Sequence, residues 1–500
     1  MNHHANGNGN GNGGGTVVHP PKKEAEPAAP VSAAPETAEA EVVFPVTGGM
    51  TLRGLPSRMT RHEVVFELLN PIVTPLVSET LNPFKIVLHA QISYSGRAVV
   101  RKVLNKGIKV VCEASLDEAA WAESVFAGGK ISRETLSKKF GEFVHGWQRI
   151  HLVNQDYKVV VADMQTFLAG LQLWLETVEL EIRSAPAADR SRLEAEVLQN
   201  LRDPVIAVLH NLFEKFEVVS DRLGEDSLPA HYAFTRRQLH PFWLGAPFMH
   251  RTFVKPLGYA GDYEMMSMIV RNGMEGGSLF AKLINAYLLD QPPCRAVRNR
   301  VDFLNKKIIQ EVGRVARRGQ TAKVFAIACG PAWEAVNFIA EHPLADHAEF
   351  HLLDFNEETL RCTGAKVDEI KRRQHRRTPV KLIKNSVQNL LRAGVKKSGQ
   401  PEYDLVYCSG LYDYLSDSVC QALNTHLYDL LKPGGLLVVG NFAPWTPGQN
   451  LMEHLMDWFL IYRDGQQLAK LAPAQAAPDD CAVRAEHAGA NIFLEARKPE

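Results

Sequence analysis

The sequence has no net charge, no cysteine pairs and no long apolar run, and each absence removes a class of function. Its 56 Lys and Arg side chains cancel 56 Asp and Glu, so bulk electrostatics provide no grip on nucleic acid, an anionic membrane or an acidic partner. The seven cysteines (Cys112, Cys294, Cys329, Cys362, Cys408, Cys420 and Cys481) are odd in number and lack CxxC or zinc spacing. That excludes a simple disulfide framework and predicts a reducing, cytoplasmic setting. The most apolar stretch, residues 159–175 (VVVADMQTFLAGLQLWL), is interrupted by Asp163, Gln165 and Gln172, so a buried helix is expected there rather than a membrane span. The opening MNHHANGNGNGNGGG has neither the basic nor the apolar region of an export signal, and none is expected.

What is present is length and pattern. Five hundred residues, 45% of them hydrophobic, suffice for two or three cores. Residues 1–45 are Gly/Asn repeats followed by a Pro/Ala/Glu stretch, a composition that predicts a disordered tail. Residues 46–118 carry short β-like runs, EVVFEL, FKIVLHAQI, AVVRKVL and IKVVCEA, and predict a small β-barrel-like domain. Helical periodicity dominates residues 119–239, a linker region, and 240–318, a lid or substrate extension. From 319 to 500 strands alternate with helices: KVFAIA, EFHLLDF, VKLIKN, YDLVYCSG and GLLVVGNF. This is the pattern of a parallel sheet covered on both faces, and CAVRAEHAG with NIFLEARK predicts a terminal antiparallel hairpin. The fold class expected is therefore α/β, a Rossmann-like sheet preceded by a helical region and a small barrel.

Ligands of such sheets sit beyond the carboxyl ends of the strands. After the first strand comes ACGPAWE, in which Ala328, Gly330 and Ala332 take the places of a G-x-G-x-G loop. Asp354 ends the second strand, placed to accept hydrogen bonds from both ribose hydroxyls. CSGLYDYL, 408–415, follows the fourth. A loop with one glycine suits a ligand that brings no pyrophosphate against the backbone. "HAEFH" holds His347 and His351 four apart but runs into a strand, so no metal site is expected.

With YDLLKPGGLLVVGNF, 428–442, this arrangement resembles the class I S-adenosylmethionine-dependent methyltransferases, whose seven-stranded sheet ends in an antiparallel hairpin. The resemblance implies S-adenosyl-L-methionine as cofactor, held by Ala328, Cys329, Gly330, Glu334, Asp354, Phe355, Ser386, Val387, Ser409 and Gly410. Ala326 stands where many members carry an acid, which leaves Glu334 to meet the ligand's ammonium group. Arg298 and Arg300 are candidates for its carboxylate. KPLGYAGDYEMM, 255–266, and DWFLIYRDG, 457–465, resemble a narrower bacterial group that makes 3-hydroxypalmitic acid methyl ester, an extracellular quorum-sensing factor. That likeness implies methylation of a fatty or hydroxy-fatty acid carboxylate.

A carboxylate acceptor needs no base at neutral pH, only orienting donors and apolar walls. The candidates for catalysis are Tyr259, Asp262, Tyr412 and His454; those for substrate binding are Tyr263, Trp445, Trp458, Tyr462 and Arg463, with Phe442 and Phe459 as further apolar wall. For an amine or hydroxyl acceptor a base becomes useful, and His454, Asp262 or Asp413 would serve. A sensor that binds the cofactor without turnover is the alternative of another class. In the β-domain, RGLPSRMTRHEVVFEL and QISYSG resemble a PilZ domain, which implies cyclic di-GMP as a partner. Ser93 and Gly96 match that motif, whereas Gln91 and the spacing of Arg53, Arg58 and Arg61 depart from it.

Overall fold

The computed structural model describes residues 40–46, 50–68, 73–88, 91–105, 109–121, 153–393 and 402–500, with positions 137, 140, 141 and 144. Residues 1–39 of the expected disordered tail and the opening part of the expected helical linker lie outside the described residues.

Six strands, β1 (Ala40–Pro45), β2 (Thr51–Met59), β3 (Glu63–Leu68), β4 (Thr80–Leu88), β5 (Gln91–Asn105) and β6 (Val110–Leu116), close into a barrel in the order β1-β2-β3-β6-β5-β4. Alternate residues point inward, and Phe44, Phe66 and Phe84 fill the centre with ring centroids 5.3–5.5 Å apart. The barrel starts at Ala40, not at 46. The run AEVVFP pairs with both β2 and β4, and without it two strand edges would be left open. One short β run inside a Pro/Ala/Glu composition hid this strand in the sequence.

Among the described residues the α-helices that follow are α1 (Gln155–Ser184), α2 (Ala187–Ser220), α3 (Leu228–Trp243), α4 (Pro247–Val254), α5 (Tyr263–Arg271), α6 (Leu279–Leu289) and α7 (Pro292–Ala316). Asn154 caps α1 by accepting from the Tyr157 N–H. The α1 residues Tyr157, Val161, Met164 and Leu168 recur at three- and four-residue spacing and are buried in one core with Leu209, Phe213 and Phe216 of α2.

The α/β region carries β7 (Ala322–Ile327), β8 (Ala348–Asp354), β9 (Val380–Lys384), β10 (Tyr403–Cys408), β11 (Leu431–Phe442), β12 (Cys481–Ala485) and β13 (Asn491–Arg497). Their order is β12-β13-β11-β10-β7-β8-β9. The five strands β7 to β11 are parallel, and β13 inserts antiparallel between β11 and β12, as the hairpin signal predicts. Helices α8 (Trp333–Glu341), α9 (Glu357–Arg373), α10 (Val387–Ala393), α11 (Asp417–Asp429), α12 (Gln449–Met456) and α13 (Gly465–Ala469) complete the region. β10 is buried along its whole length, the mark of a central parallel strand.

The barrel docks on the rest of the chain through one buried carboxylate. Asp457 is 1% exposed; it accepts from Arg97 of β5 at 3.2 Å, from Arg236 of α3 at 2.5 Å and from Ser115 of β6 at 3.3 Å. Nearby, the Ser78 hydroxyl accepts from the Phe459 N–H and donates to its carbonyl, and Thr80 N–H donates to Gly258 O at 2.8 Å. Lys255 Nζ donates to the carbonyls of Met456 and Asp457. Thus the segments 255–266 and 457–465, expected as a lid and acceptor wall, both begin at the barrel seam.

Burial raises the Asp457 carboxyl, but Arg236, Arg97 and Lys255 outweigh that and hold it below the usual carboxylate range. A depressed folded-state pKa contributes stability above the unfolded-state value of about 4 and loses it as pH falls further, towards the folded-state value. Removing one partner of a buried pair is costly. In denaturant titrations Asp457→Asn is expected to lower stability by about 3–5 kcal/mol at neutral pH, with the gap to wild type narrowing below about pH 4. Equal stability at pH 7 would contradict this account.

Candidate functional site

The strand order reverses between β10 and β7, and a cleft opens there beyond their carboxyl ends. It is lined by Ala328–Glu334, by Ser409, Gly410, Asp413 and Tyr414, by Val297, Arg300, Val301 and Leu304 of α7, and by Gly261, Met266, Val270, Phe442 and Trp458. The empty space measures about 730 Å³ including its open mouth.

The loop after β7 explains its composition. Ala328, Gly330 and Ala332 all have left-handed backbone, with φ of 49°, 53° and 48°. The three positions predicted to stand for glycines thus have the conformation glycines favour, at a cost of roughly 1–2 kcal/mol for each alanine. A Cβ built on Gly330 would meet nothing within 4 Å, so its backbone faces open space. Asp354 and Phe355 are not among the lining residues; Asp354 is tied to the loop, its two oxygens accepting from the N–H groups of Gly330 at 3.1 Å and Asn356 at 2.9 Å. Burial pushes its carboxyl above the ordinary range, against the pull of these donors. Phe355 follows it, and the Tyr259 ring packs on Phe355 at 5.1 Å.

Two opposite charges face the same cleft. Glu334 is buried, and its Oε1 accepts from the Tyr407 hydroxyl at 2.9 Å. Burial raises its pKa. Arg300 is 8% exposed, and burial lowers its pKa. Its only hydrogen bond among the described residues is a long one, 3.7 Å, to Met266 Sδ, and no carboxylate there reaches ion-pair distance. Arg298, the other candidate on α7, instead donates to the carbonyls of Ile269 and Leu289. Arg300 lies in the apolar stripe Val297, Val301, Leu304, and a cation in such a stripe was the signal that separated it from its neighbour.

Other candidates fall elsewhere. Ser386 and Val387 stand past the end of β9, where Ser386 accepts from Asn389 N–H and Val387 packs on the sheet face; neither lines the cleft. Cys329 and Ser409–Gly410 do line it, but burial pushes the Cys329 thiol up, away from a reactive thiolate.

Several expected catalytic residues are structural. Asp262 caps α5 and takes a bidentate bond from Arg251 Nε at 2.8 and 3.0 Å. Tyr412 turns its hydroxyl into the core onto Asn424. His454 is buried in the helical core, with Nδ1 2.6 Å from the Tyr157 hydroxyl, and desolvation keeps its pKa well below the ordinary value. Tyr259 lies beside Asp354 and Phe355 and is not among the cleft's lining residues.

Among the substrate candidates, Trp458 lines the cleft and donates to the Tyr414 hydroxyl at 2.8 Å. Tyr263 donates to Glu358, and Tyr462 buries its hydroxyl against the helical core. Trp445 is 59% exposed and bonds Gly489 O. Arg463 is wholly buried and fully committed: it donates to Asp417, Asn441 Oδ1 and the carbonyls of Tyr412 and Leu415. Arg463 therefore pins the 412–415 turn against the end of β11, which places Asp413 and Tyr414. Met266, Val270 and Tyr414 were not singled out in the sequence; their signal is only an apolar or aromatic residue next to a motif. His351 is held by Tyr403 and Glu349, and no metal-holding cluster occurs among the described residues.

In the barrel, Arg53 pairs with Glu41 and Arg58 with Glu63. A Cβ on Gly96 would lie 2.3 Å from Ala120 Cβ, so packing accounts for that glycine. Among the described residues no helix is long and apolar enough to cross a membrane.

Residues 258–487, under half of the chain, match the family described as "Putative methyltransferase". No curated protein matches. Similar solved structures include a possible exported protein of Bordetella parapertussis (17% identity, 56% of this chain and 99% of that one, TM-score 0.40). Another is magnesium protoporphyrin IX methyltransferase of Synechocystis PCC 6803 with bound S-adenosylhomocysteine (16%, 41% and 86%, TM-score 0.29). A third is the N-methyltransferase NodS of Bradyrhizobium japonicum WM9 (14%, 42% and 90%, TM-score 0.27). Residues 258–487 are thus similar in sequence to a methyltransferase family, and the order of the seven-stranded sheet is that of a Rossmann-like α/β fold.

Calorimetry with S-adenosylhomocysteine tests the site. Asp354→Ala is expected to weaken binding by roughly 1–3 kcal/mol through loss of a charge-assisted ribose hydrogen bond. Arg300→Met is expected to weaken it by about 1.5–3 kcal/mol while leaving 5′-methylthioadenosine, which lacks the amino-acid end, unaffected. Unchanged S-adenosylhomocysteine affinity in either variant removes that residue from the site.

Proposed function

We propose that the cleft holds the adenosine of S-adenosylmethionine against Asp354 and Gly330 and its amino-acid end between Glu334 and Arg300. The acceptor is a small molecule with an apolar body of the hydroxy-fatty acid kind. The observation that carries the reading is Arg300: a buried guanidinium on the cleft wall with no carboxylate at ion-pair distance among the described residues, beside a loop that offers open backbone rather than a pyrophosphate cradle. A buried charge left unpaired is costly unless a ligand supplies the counter-charge.

When bound, the cofactor supplies an electrophilic methyl group on a sulfonium. The protein's part is positional. Asp354 accepts from the ribose, Glu334 meets the ammonium group and Arg300 meets the carboxylate. Met266, Val270, Phe442 and Trp458 exclude water and seat the apolar body of the acceptor.

Incubation of the full chain with methyl-labelled S-adenosylmethionine and bacterial lipid extract is expected to place label in an organic-soluble product. Binding of cofactor with no label transferred to any extract fraction would contradict the acceptor class and favour a sensor.

A further inference from the structure

Among the lining side chains Arg300 is the one cation, whereas Glu334 and Asp413 are acids. With Arg300 and Glu334 assigned to the cofactor's amino-acid end, Asp413 remains. It is buried at the end of the Ser409–Tyr414 turn, and its Oδ1 accepts from the Phe442 N–H at 2.7 Å. Arg463 holds the turn in this place from beneath, through the Tyr412 and Leu415 carbonyls, and the Tyr414–Trp458 hydrogen bond fixes the neighbouring wall.

A carboxylate acceptor would bring a second anion into a dry cleft beside Asp413, with no lining cation left to neutralise it. An acceptor that carries its own proton, a hydroxyl or an amine, meets Asp413 without that cost.

We propose that Asp413 is a catalytic residue that binds the methyl acceptor through its X–H group and takes its proton, so that the acceptor atom is a hydroxyl oxygen or an amine nitrogen. This rests on the cofactor reading above and deepens it. The acceptor's lone pair forms the bond to the methyl carbon, the carbon–sulfur pair leaves with sulfur as a neutral thioether, and the X–H proton passes to Asp413 Oδ2. Burial pushes this carboxyl up to about 6, against the Phe442 N–H, Arg300 and Arg463. The other titratable groups that feel its charge are Tyr414, Cys408, Cys420 and Tyr462. Such a group is ionised at neutral pH yet basic enough to take a proton.

Two measurements test this. Sinefungin carries a protonated amine in place of the methylsulfonium and so presents an X–H donor to Asp413. It is expected to bind wild type about tenfold or more tightly than S-adenosylhomocysteine. Asp413→Asn, which can still accept from Phe442, is expected to abolish the preference and leave S-adenosylhomocysteine affinity unchanged. A preference that persists in the variant, or equal weakening of both ligands, overturns the proposal. Failure of wild type to bind S-adenosylhomocysteine at all would instead sink the cofactor reading, and this one with it. In the transfer assay the product's label is expected to survive mild alkali, as ethers and methylamines do. Release as methanol marks a methyl ester and overturns the proposal.

Discussion

The carboxylate of Asp457 ties the molecule together. It lies between an arginine of the barrel and an arginine of the helical region, at a residue with left-handed backbone, and its immediate neighbour Trp458 lines the cleft. The other segment at the same seam behaves alike: Gly258 O is held by Thr80 of the barrel, and three residues later Gly261 reaches the cleft wall. Barrel, helices and sheet thus meet around two short stretches that touch the docking seam at one end and the site at the other. A charge this deeply buried tolerates little displacement of its partners, so the barrel is part of what fixes the shape of the site.

Within that frame the α/β region and α7 contribute a turn and four charges, Asp354, Glu334, Asp413 and Arg300. The turn takes left-handed backbone at alternate positions, and its Gly330 N–H donates to Asp354. Glu334 and Arg300, both desolvated, come from different helices, α8 and α7, and face one cleft because α7 packs against α8, β7 and β10. Arg463 belongs to a further layer: it is not among the lining residues but holds the turn that carries Asp413.

The parallel strands were readable in the sequence because each is a short apolar run with β-branched residues, and the hairpin because two such runs stand close together. The placing of Gly330, Asp354 and Glu334 at strand ends, in or next to the cleft, was readable because strand ends have a known use in this architecture. The donors and bases were not. Asp262, His454 and Arg463 have the chemistry of catalytic groups, and only tertiary packing shows that Asp262 is spent on Arg251 and a helix cap, Arg463 on the 412–415 turn, and that His454 lies in the helical core against Tyr157. The motifs beginning at Lys255 and Asp457 drew attention for a reason the sequence alone could not separate: half of each serves docking and half serves the site. Strand β1 was missed because a single β run carries little weight beside forty residues of tail composition.

The central claim is that one cleft takes an adenosine at Asp354 and an amino-acid carboxylate at Arg300. A crystal structure of the full chain with S-adenosylhomocysteine tests it most directly. The account predicts ribose hydroxyls within hydrogen-bond distance of Asp354 and the ligand's carboxylate on the Arg300 guanidinium. A ligand bound elsewhere, or lying in the cleft with Arg300 turned away from it, would contradict the account.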